Sequence, residues 1–125
     1  MTLAEQGFRW SKQTERTDAA AIMVRVPNQV SKSGLLRVLA TELSFPAYFG
    51  HNWDALEECL SDLAWLPDGQ TVVLQHQGLP LARRADERRI YLEILRSAMA
   101  AHRQRGDRTL MAAFPPGCRS ACREL

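Results

Sequence analysis

PAYFGHNWDALEECLSDLAWL, residues 46–66, changes character halfway along. Its first part is a turn: Pro46, then the adjacent aromatics Tyr48 and Phe49, then Gly50 and His51. Asn52 follows, and an asparagine there can cap a helix, because its side chain accepts a hydrogen bond from an unpaired amide of the first turn. From Trp53 the period is helical. Trp53, Leu56, Leu60 and Leu63 recur at spacings that place them on one face, and Asp54, Glu57, Glu58 and Asp62 fall on the other. Pro67-Asp68-Gly69 is a strong stop signal. The stretch therefore predicts a short amphipathic helix with four outward carboxylates, entered through an aromatic-glycine loop.

Two of the acid pairs, Asp54–Glu58 and Glu58–Asp62, are spaced i,i+4, where like charges destabilise a helix by about 0.2–0.5 kcal/mol per pair. No lysine or arginine lies within four residues, and only Asp54 sits near enough to the positive helix N-terminus to benefit from it. The asymmetry extends further. From Val38 to Ala82 there are six acids (Glu42, Asp54, Glu57, Glu58, Asp62, Asp68) and no lysine or arginine, a local charge of −6. The whole chain is +2, so the remainder carries +8. Such segregation suits a surface that meets a cationic partner.

The run FPAYFGHNWDALEECLSDLAWLP resembles the core signature of the barstar family, intracellular inhibitors of secreted bacterial ribonucleases. The matching elements are the Pro-x-aromatic-aromatic-Gly-x-Asn loop, the Asp-Ala-Leu helix start, and the acid and cysteine one turn later. The resemblance implies a guard protein, a monomer when free, that needs no cofactor and covers the cationic active site of a secreted microbial ribonuclease. Tyr48, Gly50, Asn52, Asp54 and Glu58 match the family's contact positions, with Tyr48 outward and Phe49 inward. His51, Glu57 and Asp62 complete the candidate surface. Glu58 stands where the family commonly places the acid that fills a phosphate site, although one methylene longer than the prototype's aspartate. Glu57 replaces a large aromatic, and Ser97 aligns with a further acid on the long helix. These departures imply a ribonuclease different from the prototype's target.

Working outward, 125 residues suffice for one domain with a real core, and 46% apolar with 24% charged residues is ordinary for a globular protein. Residues 1–18 form a polar lead without clean period, in which Phe8 and Trp10 are expected to tuck against the body. That lead is too polar for a signal peptide, and no apolar run approaches membrane-spanning length, so the expected location is the cytoplasm. The domain is expected over 19–117. Ala21–Val26 reads as a strand buried on both faces. Ser31 or Ser33 caps a helix reaching Leu43, with Leu35, Leu36 and Leu39 inward. Thr71–His76 is a second strand. A long helix starts near Arg83 or Ala85 and runs to Arg105, where Gly106 stops it. Arg108–Phe114 is a third strand, and 118–125 a short tail. This order predicts an α/β fold: a small three-stranded parallel sheet covered by helices.

Other chemistries find less support. Paired carboxylates serve glycosidases, but acids on an open helical face lack the pocket that perturbs a catalytic group, and Gly50 stands alone rather than in a phosphate loop. The reading is therefore not an enzyme. His51, His76 and His102 are scattered, and Cys118-x3-Cys122 lacks the second pair a metal site needs, so no metal is expected and the three cysteines read as free thiols. Arg83, Arg84, Arg88, Arg89, Arg96, Arg103, Arg105 and Arg108 line the long helix against Asp86, Glu87, Glu93 and Asp107. They suggest nucleic-acid binding as an alternative function. The absence of interleaved aromatics argues against base stacking. A further alternative is an interaction module of the same fold with a partner that is not a nuclease.

Overall fold

The computed structural model describes residues 8–10, 21–28, 31–67 and 69–115. The elements in order are β1 (Phe8–Trp10), β2 (Ile22–Val26), α1 (Lys32–Glu42), α2 (Trp53–Asp62), β3 (Thr71–His76), α3 (Ala85–Arg105) and β4 (Thr109–Phe114). Local chemistry sets most of the ends. The Ser31 hydroxyl accepts the Gly34 amide at 3.1 Å and opens α1. No side chain caps the start of α3, but Asp86 and Glu87 occupy its first turn, where the helix end is positive. Gly106 closes α3 at φ +70°, a backbone state that costs glycine nothing, and its amide donates to the His102 carbonyl at 2.8 Å.

The strands pair in parallel in the order β1-β4-β3-β2, with Val24 opposite Leu74 and Leu74 opposite Ala112. The three strands expected from the sequence are all present, and a fourth joins them. Phe8–Trp10 pairs with Ala112–Phe114, so the segment read as a lead contributes an edge strand. Three residues are too few to show a period; the pairing surface offered by β4 determines their conformation.

From β2 to β3 to β4 the chain moves one way across the sheet, so right-handed crossovers place the helices on one face. Val24, Val26, Val72, Leu74, Leu110 and Ala112 meet leucines of the three helices in one core. The opposite face of β2 is open: Met23 and Arg25 are exposed. That corrects the expectation of a strand buried on both faces, because β2 is an edge strand and the helices lie on the other side.

His76, Tyr91 and Arg88 bring polar groups into this core, and each has a hydrogen-bond partner there. His76, 1% exposed, stacks on Phe114 with ring centroids 4.2 Å apart. Its Nδ1–H donates to the Ala113 carbonyl at 3.0 Å, which leaves Nε2 to accept from the Tyr91 hydroxyl at 2.6 Å. Burial favours the neutral form of both partners: it lowers His76 to about 4 and raises the Tyr91 phenol. The buried Arg88 guanidinium donates to the Leu81 carbonyl at 2.9 Å, at a residue held in the left-handed region (φ +53°).

Candidate functional site

The loop before α2 is built on an aromatic cluster. Phe45 meets Phe49 edge-on at 4.9 Å and Trp65 at 5.9 Å, and the Trp65 indole N–H donates to the Leu43 carbonyl at 2.9 Å. A turn closed by the Phe49 amide on the Pro46 carbonyl, 3.0 Å, then separates the two adjacent aromatics. Phe49 is 6% exposed and Tyr48 68%. The division expected from the sequence, one ring inward and one outward, is the one found. Phe49 also supports the exposed His51 ring at 4.7 Å, where the backbone turns through φ +56°.

Gly50 has a steric reason. A Cβ there would lie 3.2 Å from Asn52 Nδ2 and 3.9 Å from the Ala55 methyl, crowding the cap. The cap itself is as the sequence predicts: Asn52 Oδ1 accepts the Ala55 amide at 2.7 Å. It fixes the first turn of α2.

Along α2, Leu56, Cys59 and Leu60 are buried, Trp53 is half-buried and Asp54, Glu57, Glu58 and Asp62 are all exposed. Leu63 terminates the helix in the left-handed region (φ +49°) and stays buried. None of the four acids forms an ion pair among the described residues. Tyr48 lies within their field. Partial cover raises its phenol, and the proximity of Cys59, Asp62 and Glu58 adds to the rise. The exposed ring thus borders the second half of the acidic stripe. Burial, reinforced by Glu58 and Asp62, likewise raises the Cys59 thiol, which makes it a packing group and a poor nucleophile.

Tyr48, Gly50, His51, Asn52, Asp54, Glu57, Glu58 and Asp62 are therefore all exposed on one continuous loop-and-helix segment. The charge map along the chain does need amending in space. Lys32 of α1 places its ammonium 5.2 Å from the Trp53 ring centroid, at the start of α2. At the other end, Arg105 donates to the Ser61 carbonyl and His102 Nε2 to that of Leu60 at 2.7 Å. Lys32 and Arg105 come from sequence positions more than twenty and forty residues away from α2's ends, and nothing in local spacing marks them.

The arginine series divides. Arg88 is buried on the Leu81 carbonyl, Arg105 pairs with Asp107 at 3.0 Å, and Arg108, 6% exposed, points toward the Leu66 and Pro67 carbonyls at 3.3 and 3.4 Å. Two of the eight are thus buried and a third is held in an ion pair at the surface, which breaks the stripe. Among the described residues no three His, Cys, Asp or Glu side chains are grouped to hold a metal ion, and no helix is long and apolar enough to cross a membrane. Cys118 and Cys122 lie outside the described residues.

Comparison with curated proteins finds no match. The family model described as Barstar (barnase inhibitor) matches residues 19–112, from just before β2 into β4 and across the whole loop–α2 segment. With three quarters of its length matched by that model, and a parallel α/β fold consistent with it, this chain belongs to the barstar family.

Proposed function

We propose that the protein inhibits a secreted microbial ribonuclease by laying the loop Tyr48–Asn52 and the acidic face of α2 across the enzyme's cationic active site. One observation carries the reading: Asp54, Glu57, Glu58 and Asp62 are exposed side by side, with no ion pair among the described residues, on a helix whose other face is wholly engaged in packing. Four like charges held together at a cost to the helix are explained by a cationic surface that meets them from outside.

A site that holds RNA phosphates supplies such a surface. Carboxylates entering it replace phosphates and form charge-assisted hydrogen bonds with lysine and arginine. Tyr48 adds an exposed amphipathic ring beside Glu58 and Asp62, a residue type that anchors interfaces at low entropic cost. Opposite fields also speed encounter, which an inhibitor competing with RNA needs. The rigid aromatic cluster beneath the loop means that little ordering is left to do on binding.

The test is cleavage of a fluorogenic RNA by a panel of small secreted microbial ribonucleases, titrated with this protein. Stoichiometric inhibition of a panel member is expected. An Asp54→Lys, Glu58→Lys variant is expected to lose it by more than about a thousandfold. Truncating one partner of a buried charge pair already costs about 2–5 kcal/mol, a range drawn in part from the barnase–barstar complex itself. Inhibition that survives the reversal removes α2 from the interface.

A further inference from the structure

The C-terminal end of α2 is held from behind by three residues that the inhibitory face does not include. His102 is 0% exposed, and its Nε2 lies 2.7 Å from the Leu60 carbonyl. A carbonyl only accepts, so Nε2 carries a proton. On the other side of the ring, Nδ1 lies 3.0 Å from Asp107 Oδ1 and also 3.0 Å from Arg105 Nη2. Arg105 Nε donates to the second oxygen of the same Asp107 carboxylate at 3.0 Å, and Arg105 Nη2 donates to the Ser61 carbonyl. Burial works to raise the Asp107 carboxyl, but the hydrogen bonds from His102 and Arg105 outweigh it and bring it down to about 2. The Asp107 backbone is fixed in turn, because its carbonyl accepts the Gly69 amide at 2.9 Å.

We infer that His102, Arg105 and Asp107 form a clamp that sets the position of α2's last turn, and that they are positioning residues for the acidic face. The inference rests on the function proposed above for that face. Leu60 and Ser61 belong to the final turn of α2, whose carbonyls have no partner further along the helix. The clamp gives two of them cationic or polar donors, while the Leu63 amide serves the Cys59 carbonyl at 3.1 Å. Glu58 and Asp62 flank these residues, so the carboxylates at this end follow wherever the last turn is held. Lys32 against Trp53 steadies the opposite end.

Nδ1 faces both an acceptor, Asp107 Oδ1, and a donor, Arg105 Nη2, while the Nε2–H is committed to the Leu60 carbonyl.

The test compares His102→Leu, which keeps bulk and removes both nitrogens, with His102→Gln, which keeps a donor for Leu60. In the free protein, amide hydrogen exchange across Cys59–Leu63 is expected to accelerate about tenfold or more in His102→Leu, with β3 amides changed far less, and His102→Gln is expected to restore most of the protection. With a ribonuclease that the native protein inhibits, His102→Leu is expected to raise the dissociation rate by about tenfold and leave the association rate within about twofold, since the acidic face keeps its charge. Unchanged exchange at α2's end, equal acceleration in β3 and α2, or a Gln variant no better than Leu overturns the clamp. An unchanged dissociation rate overturns its positioning role. The exchange measurement needs no partner, so it decides the clamp even where the ribonuclease assay defeats the proposed function.

Discussion

The front and the back of α2 treat polar side chains in opposite ways. In front, four carboxylates stand in solvent with no ion pair among the described residues, and the helix bears their repulsion. Behind it, each buried histidine has polar partners at both ring nitrogens, and Arg88 lies on the Leu81 carbonyl. Burial imposes this discipline, because an unsatisfied polar group in the core costs about 1–3 kcal/mol. Exposed acids carry no such obligation, so their arrangement is free to serve something other than folding. Substitutions behind α2 should therefore cost stability, whereas those in front should cost inhibition and leave stability unchanged or improved.

The largest stability effect is expected at His76. Its folded pKa, about 4, lies below the ordinary 6.5, so as pH falls the unfolded chain takes up the proton first. The stabilisation is complete above about pH 6.5 and is lost as pH falls toward 4, by on the order of 3 kcal/mol. Urea unfolding between pH 7 and 4 measures that slope. His76→Leu strands the Tyr91 hydroxyl and the Ala113 carbonyl, and is expected to start about 2–3 kcal/mol lower and to lack the histidine's share of the slope. A variant as stable as the parent would break the contrast between back and front.

A smaller effect is expected where the two regions meet. Asn52→Ala removes the cap on Ala55 and should lower stability by about 1 kcal/mol, while Asn52→Gly should cost only a few tenths. Thermal unfolding of the pair separates the cap from any contact Asn52 makes with a partner, since inhibition should fall further than stability. The smallest effect has the opposite sign. Glu58→Gln ends two like-charge i,i+4 pairs and should stabilise the protein by a few tenths of a kcal/mol, while weakening inhibition more than any other single neutralisation on the helix. A loss of stability there would mean that Glu58 serves the fold.

Much of the site was legible because its determinants are local. The spacing of Trp53, Leu56 and Leu60 against Asp54, Glu57, Glu58 and Asp62 assigns the two faces of α2, and Asn52 marks its start, whatever packs nearby. Gly50 was recognisable as part of a motif, but its reason is spatial. Its φ is unremarkable, and the constraint is the approach of Asn52 and Ala55. The arginines of the long helix misled in the other direction. On a linear map they form one basic series, whereas the fold turns Arg88 and Arg108 inward and gives Arg105 to Asp107 and Ser61.

The amino-acid sequence by itself determined the alternation of strands and helices, the acidic helix with its cap, and the solvent-facing carboxylates. Each follows from periodicity and capping within about a dozen residues. Only the tertiary structure decided that Phe8–Trp10 would pair with β4, that β2 would have an open face, and that His76 and His102 would lie in the core. It alone brought Lys32 and Arg105 to the two ends of α2. The physical reason is range. A helix face depends on neighbours three or four places away, whereas the Leu60 carbonyl finds its donor 42 residues along the chain, through a contact that exists only once α2 has packed against α3.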